Sequence, residues 1–254
     1  MTNKATTGMT LATGTAALAV AAVDDAFNTL KTYDWGADPK TLKPIDEAII
    51  ASHDDAAARK ALEKRLLDAM AGGLSRSALD HVCRRLRIVG TAQSVPALAA
   101  LLGDEKTSHI ARYALERIPD DAAAAALREA LPKVDDKLKP GLIGSLGTRR
   151  DADSIKALAT YLGDSDILIA KAAAQSLGLI GTPAAATELA AFAKKASANM
   201  KMPVADARLV CAERLLADGN KTAALAAYQA LNRSDQPTAV RTAAMKGMLA
   251  ATQR

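Results

Sequence analysis

A short phrase that recurs about every thirty residues constrains the fold of this chain more than any other feature. Each copy ends a helical run with Leu-x-x-(Ile/Val)-(Gly/Pro), and a polar turn and a second alanine- and leucine-rich helix follow. The copies occupy residues 86–90, 115–119 and 177–181, with a looser copy at 143–147. Leucines of the following helices keep the period, at positions 98, 127, 158, 189 and 225. Such a period is typical of solenoids, in which each helix pair buries its apolar side against its neighbours.

The composition favours an all-α chain. Half of the 254 residues are apolar, but only 3% are aromatic, and runs rich in Val and Ile are scarce. Much of the apolar half is alanine, the strongest helix former. We therefore predict an α-α solenoid, or superhelix, of about five to six helix pairs. Helices are expected near residues 22–32, 41–51, 54–71, 75–89, 93–102, 107–118, 121–131, 137–146, 152–162, 166–180, 183–195, 204–217, 221–231 and 237–251.

Three segments are predicted along the chain: a leader or tail at 1–23, an irregular N-terminal helical cap at 24–53, and the repeat solenoid at 54–254. Residues 11–23 are mostly apolar, and Ala19-Val20-Ala21 fits a signal-peptide cleavage pattern. If residues 1–21 are a signal peptide, the protein is exported to the periplasm or the cell exterior. The alternative is a weakly ordered tail on a cytoplasmic protein. No other stretch has the ~20 apolar residues of a transmembrane helix, so no membrane insertion is expected after leader removal.

The copy at 163–183 carries a resemblance to a known family. It contains Asp164, then Leu168-Ile169-Ala170-Lys171-Ala172-Ala173, and ends in Leu177-Gly178-Leu179-Ile180-Gly181. This order resembles the HEAT-like repeat family in its short form of about thirty residues, akin to phycobilisome-lyase-type repeats. Lys171 stands at or beside the basic position of the family pattern. The resemblance covers about residues 54–251 and implies the solenoid fold while leaving the function open.

No catalytic or cofactor motif accompanies the repeats. Some HEAT-like enzymes hold iron with His-Glu pairs, but the three histidines here are followed by Asp54, Val82 and Ile110. His81 and His109 lie 28 residues apart, which leaves a two-histidine metal site as an alternative to surface or partly buried histidines. No nucleophile motif, phosphate loop or tetrapyrrole site is recognisable. We expect a protein that is not an enzyme, with no cofactor and no metal site.

Both cysteines, Cys83 and Cys211, lie in line with apolar residues at helical spacing. They are expected to be small buried hydrophobic side chains. About four repeats separate them, which is too far for a disulfide.

The net charge of +5 is compatible with an acidic partner, and arginines cluster in the middle of the chain. We predict a protein-binding scaffold that presents side chains of successive second helices to another protein. The predicted contact residues are Arg84, Arg85, Arg87, Arg112, Arg117 and Lys171. Nucleic-acid binding by a basic face is one alternative. However, Asp80 and Glu116 stand four residues from arginines, which favours a self-paired face. The second alternative is an accessory subunit of an exported enzyme system.

Three of the seven aromatic residues, Phe27, Tyr33 and Trp35, fall in one short stretch. A solenoid must cover the exposed end of its core. The favoured interpretation is therefore an apolar plug, and the alternative is a recognition loop.

Overall fold

The computed structural model describes the backbone of residues 6–252 and the side chains of residues 18–252. Within those residues every regular element is helical and no strand occurs. The prediction of an all-α solenoid is confirmed. The chain forms two compact units, Met1–Asp120 and Asp121–Arg254.

Six helices lie in the described part of the first unit. They are α1 (Thr6–Leu30), α2 (Lys43–Ala51), α3 (Ala56–Ala71), α4 (Arg76–Val89), α5 (Val95–Ala99) and α6 (Ser108–Leu115). Short 3₁₀ turns precede α2 and α5. Asp55 caps α3 by accepting hydrogen bonds from two backbone N–H groups, and Ser75 caps α4 in the same way with one. The helix predicted to begin near residue 22 begins at Thr6 instead.

The second unit contains eight helices. They are α7 (Asp121–Ala130), α8 (Lys139–Thr148), α9 (Ile155–Tyr161), α10 (Ile167–Ile180), α11 (Pro183–Ala193), α12 (Ala198–Ala217), α13 (Lys221–Leu231) and α14 (Thr238–Thr252). Thr182 caps α11, and Pro183 takes the first helical position, where its missing N–H costs little. Helix α12 begins six residues before the predicted start at 204 and contains Pro203 within it.

Alternate helices stack side by side in each unit. In the first unit α4 packs on α6, and in the second α10 lies between α8 and α12. Their buried faces are made of alanine, leucine and isoleucine, as in α10 with Ile169, Ala173 and Leu177. Contact between helices two apart in the chain is the packing that a solenoid requires, because each pair covers the apolar side of the next.

Long-range hydrogen bonds in both units join residues one repeat apart. Arg59 donates to the carbonyl of Ile88, Arg76 to that of Lys106, and Arg150 to that of Ile180. In the opposite direction, Ser176 Oγ donates to the carbonyl of Ile143. The partners in these bonds are 29 to 33 residues apart. The sequence period is therefore also the period of the polar contacts between layers.

Glycines in α8 and α10 allow the stacked helices to approach closely. A Cβ at Gly178 would lie 2.7 Å from the backbone oxygen of Ala207 in α12. A Cβ at Gly147 would lie 2.7 Å from the Cβ of Ser176 in α10. Gly147 and Gly178, each of which follows a leucine, therefore lie where neighbouring helices of the second unit pack closely.

Among the described side chains of α1, residues 18–30, burial begins toward the end of the helix. Leu18 and Val20 are exposed, and Ala26, Phe27 and Leu30 are the first residues in the core. Part of the predicted signal peptide, residues 1–5, lies outside the described residues, and the leader stays a prediction. Phe27 is buried, which agrees with the plug interpretation for this residue. For Trp35 the plug interpretation is wrong, because its side chain is 93% exposed.

Candidate protein-binding surface

Two of the predicted contact residues meet around one aromatic ring. Arg84 and Arg87 lie on α4, and their guanidinium carbons lie 5.3 Å and 4.4 Å from the ring centroid of Tyr113 on α6. At these distances a guanidinium over an aromatic face is attracted by the ring quadrupole. Tyr113 follows Arg84 by 29 residues, or one repeat. The stacking of α4 on α6 therefore builds the cluster, which we call the Arg84–Arg87–Tyr113 surface.

Arg84 has its own counter-charge. Its Nε lies 2.6 Å from Oδ2 of Asp80, one helical turn earlier on α4. The hydrogen bond from Arg84 to Asp80 raises the pKa of the guanidinium. The expected self-pairing of this arginine with a residue four positions away is therefore present. Arg84 contributes shape and hydrogen-bond donors to the surface, but little net charge.

Arg87 differs from Arg84 in that no carboxylate of the described residues lies within ion-pair distance of it. Its Nε is buried and has no hydrogen-bond partner. The rest of the side chain is half-buried against Tyr113, which leaves the charge uncompensated. An unpaired charge in a partly buried position lowers the stability of the fold. This guanidinium is therefore suited to bind a carboxylate of another molecule.

Arg85 faces α2 instead of the surface. It forms a two-pronged ion pair with Asp46, with N–O distances of 2.6 Å and 2.7 Å. Only 17% of its side chain is exposed. The pair joins α2 to α4, and its partners are 39 residues apart in the chain. Arg85 is therefore not part of the Arg84–Arg87–Tyr113 surface.

The remaining predicted contact residues are Arg112, Arg117 and Lys171. Arg112 lies on α6 and is half-buried; burial lowers the pKa of its guanidinium, and Glu116 acts in the opposite direction. Arg117 is exposed just after α6. Lys171 is exposed on α10, in the second unit.

The histidines and cysteines differ in their surroundings. His81 on α4 is partly buried, and burial together with Arg85 lowers its pKa to about 4. His109 on α6 is exposed. In the described part of the chain, no three His, Cys, Asp or Glu residues are placed to hold a metal ion. Cys83 and Cys211 are free and buried, as predicted, and burial raises their pKa values to about 12 and about 11.

Glu63 on α3 is a buried carboxylate, only 1% exposed, that the sequence did not indicate. Helical spacing alone predicts that Glu63 lies beside Arg59, which stands four residues earlier on the same helix. In the structure Glu63 instead accepts hydrogen bonds from the backbone N–H and hydroxyl of Thr91 and from the hydroxyl of Ser94, at 2.6 to 3.0 Å. It thereby caps the turn that leads into α5. Their sequence separation could have indicated this pairing, because Glu63 and Thr91 are 28 residues apart, close to the repeat period.

Comparison with known families agrees with this architecture. The sequence model of HEAT repeats matches residues 125–207, which span the stacked helices α8 and α10 and the first half of α12. Residues 125–207 are therefore HEAT-like repeats. No curated protein matches it. In the described residues, no helix is long and apolar enough to cross a membrane.

HEAT repeats commonly mediate protein–protein interactions, and the fold is typical of non-catalytic proteins. The matched repeats lie in the second unit, whereas the Arg84–Arg87–Tyr113 surface lies in the first. The surface therefore belongs to helices that diverge more from the family pattern, although α4 and α6 stack in the same way.

Proposed function

We propose that this HEAT-like repeat protein is a non-catalytic scaffold that captures an acidic segment of another protein on the Arg84–Arg87–Tyr113 surface. The observation that carries the proposal is Arg87, whose charged group is stacked on Tyr113 and has no carboxylate partner among the described residues. The adjacent Arg84 is held in place by Asp80 and adds donors beside it.

The chemistry of the surface favours a carboxylate ligand. A guanidinium stacked on a ring is fixed in orientation and keeps its outward N–H groups for a planar, two-pronged acceptor. An aspartate or glutamate side chain of a partner provides that acceptor. Arginine and tyrosine are also enriched among the residues that dominate binding energy at interfaces. The proposal therefore needs no catalytic group and no cofactor.

Nucleic-acid binding ranks second. A groove for nucleic acid needs several uncompensated cations that together contact phosphates. Here Arg84 and Arg85 are already paired with Asp80 and Asp46. Only Arg87 remains without a carboxylate among the three arginines of this part of α4. A mobility-shift assay with random-sequence duplex at low salt is the direct control. A salt-dependent mobility shift of the duplex would favour nucleic-acid binding.

Export stays part of the proposal as a separate prediction. Residues 18–22 of α1 are exposed, and the core begins at Ala26. Cleavage after Ala21 would therefore remove no buried side chain among the described residues 18–21. N-terminal sequencing of the protein from its native source tests this: a start at or near Ala22 places it outside the cytoplasm, as an accessory protein of an exported system would be.

The test of the surface compares two double variants in a pull-down from the native source, read by quantitative mass spectrometry. Arg84→Gln with Arg87→Gln removes the stacked charges and keeps long side chains. Lys60→Gln with Lys64→Gln removes the same charge from exposed positions of α3. We expect the first pair to lose the main captured protein by about tenfold or more, since charge-assisted contacts of this kind contribute about 1.5–3 kcal/mol. Equal capture by both pairs, with circular dichroism unchanged, rejects this surface.

A further inference from the structure

Arg208, in the middle of α12, is a half-buried arginine whose charged group has no contacting partner. Within the described part of the chain, its guanidinium forms neither a hydrogen bond nor an ion pair. The residues three and four positions away on the helix are all uncharged: Val204, Ala205, Cys211 and Ala212. Helical spacing therefore provides no carboxylate for this arginine.

One carboxylate acts on Arg208 from a distance. Burial lowers the pKa of the Arg208 guanidinium, and Asp235, in the turn between α13 and α14, acts in the opposite direction to a smaller extent. Asp235 is within ion-pair distance of Arg233 instead, at 3.5 Å. The charge on Arg208 is thus partly removed from water without a counter-charge in contact, and a carboxylate that reaches it gains a charge-assisted hydrogen bond.

Arg208 lines a groove between α11 and α13. Both of these helices pack on α12, and the groove has a volume of about 270 Å³. Alanines form most of its walls, at positions 186 and 190 of α11 and positions 223, 226, 227 and 230 of α13. Of the described residues that line it, Arg208 alone is charged. The groove is therefore apolar, with a single uncompensated positive charge.

The walls favour a helix over an extended peptide as the occupant. A helix pairs its own N–H and C=O groups, whereas an extended segment would lose water from its backbone against alanine methyl groups. Besides Arg208, the one polar side chain of the described lining is Thr187, and its hydroxyl already donates to the carbonyl of Pro183. Small side chains on both walls also let a third helix approach closely.

The volume limits what can enter the groove. A space of about 270 Å³ lies just below the roughly 300–1,000 Å³ of pockets for drug-sized ligands. It suits a few side chains of one helix face better than a whole molecule. On such a face, residues three and four positions apart lie side by side, so two apolar side chains can contact the alanine walls while a third residue faces Arg208.

We propose that the groove between α11 and α13 binds an amphipathic helix of another protein, one that carries a single aspartate or glutamate among alanine and leucine side chains. The carboxylate forms a two-pronged ion pair with Arg208, and the apolar side chains cover the alanine walls. Charge complementarity selects this occupant, because the described lining contains one cation and no acid.

This site lies in the second unit and uses neither Arg84, Arg87 nor Tyr113. It is therefore a second binding surface, and it stands or falls independently of the Arg84–Arg87–Tyr113 surface.

The test uses a library of fluorescently labelled helical peptides of about twenty residues, which is long enough for helix formation in water. Each peptide has one central glutamate, alanine or leucine three and four residues away from it, and glutamine on the opposite face. Each has a twin with glutamine in place of the glutamate. Fluorescence anisotropy with the full chain measures the dissociation constants. We expect the best glutamate peptides to bind at least about tenfold more tightly than their twins.

Variants of one helix test the role of the charge. Arg208→Gln should abolish the preference for glutamate with circular dichroism unchanged, since the charge that it removes has no contacting partner in the described chain. Arg208→Lys should keep part of the preference, because an ammonium group retains the charge but not the two-pronged geometry. Lys201→Gln removes a cation from an exposed position of α12 outside the groove and should bind like the wild type.

Filling the groove tests its apolar part. Ala226→Leu with Ala230→Leu enlarges two exposed side chains of the α13 wall, so the chain should fold and bind every peptide at least about tenfold more weakly. Ala184→Leu with Ala191→Leu makes the same change at exposed positions of α11 outside the groove and should leave binding unchanged.

The proposal is overturned if no peptide of the library binds with a dissociation constant below about 1 mM, or if the preference for glutamate survives Arg208→Gln. Octanoate that competes as well as the best peptide would make the groove a small-molecule site and reject a helix. Self-association of the wild type that Arg208→Gln removes would assign the groove to a second copy and reject the proposal. Arg84→Gln with Arg87→Gln should bind the peptides like the wild type; a lost preference in that variant would locate the contact on the other surface.

Discussion

Replacement of Gly178 by alanine tests whether close helix approach holds the second unit together. The added Cβ would lie 2.7 Å from the backbone oxygen of Ala207 and 3.2 Å from its Cα. These atoms belong to the backbone of α12, so no side-chain rotation relieves the contact. The two helices must move apart, which loosens the packing of α10 on α12.

Two opposing effects determine how much Gly178→Ala changes the free energy of unfolding. Alanine in the middle of a helix is favoured over glycine by about 1 kcal/mol. Overpacking of a close contact typically costs about 1–3 kcal/mol, and a backbone neighbour places this contact in the upper part of that range. We therefore expect Gly178→Ala to lower the free energy of unfolding by about 1–2 kcal/mol. The melting temperature should fall by roughly 3–8 °C.

Gly144→Ala in α8 is the matched control. It is the same substitution in a stacked helix of the same unit, but no heavy atom lies within 4 Å of the added Cβ. The helix preference then acts alone, so this variant should be more stable by about 0.5–1 kcal/mol. Urea unfolding followed by circular dichroism measures both variants, with an unchanged m-value showing that the folded unit is the same. A Gly178→Ala chain as stable as the wild type, beside a stabilised Gly144→Ala chain, would refute the packing argument.

Further predictions concern the buried polar and titratable groups. Glu63→Ala leaves the donors of Thr91 and Ser94 without their acceptor and should cost about 2–4 kcal/mol in urea unfolding; a cost near zero would show that water replaces the carboxylate. Since burial raises the pKa of Cys83 to about 12 and of Cys211 to about 11, both thiols should react slowly with a disulfide reagent at pH 8 until the chain is unfolded. Burial, aided by Arg85, lowers the pKa of His81 from 6.5 to about 4, so the unfolded state binds more protons between those values. The stability gained from His81 is thus fully present above about pH 6.5 and declines toward pH 4, and His81→Gln should show a shallower loss than wild type in a pH series of unfolding curves.

The regular helices could be predicted from the sequence because the residues that determine them are close together in the chain. Thr182 and Pro183 mark the start of α11. The period of the recurring phrase, with copies at 143–147 and 177–181, predicts the positions of α8 and α10. Pro203 misled the prediction for α12, since a proline usually indicates a helix start. The helix instead begins at Ala198 and continues through Pro203, with Met200 and Val204 buried on either side of the proline.

The surface was only partly predictable because its partners are distant in sequence. The pair of Arg84 with Asp80 follows from helical spacing, and the sequence indicated it. Arg85 with Asp46 joins residues 39 apart, outside any helical rule. The exposure of Trp35 was likewise hidden, because hydropathy alone favours burial of an indole, whereas the hydrogen-bonded turn around Gly36 decides where it points.

Three arginines that donate to backbone carbonyls one repeat away all do so in the same direction along the chain. Arg59, Arg76 and Arg150 each precede the carbonyl that they bind by about one repeat. During synthesis on the ribosome, the guanidinium is therefore already available when the helix end that it fastens emerges. Each newly made helix can dock on a finished layer as soon as it leaves the exit tunnel, without waiting for the remainder of the polypeptide.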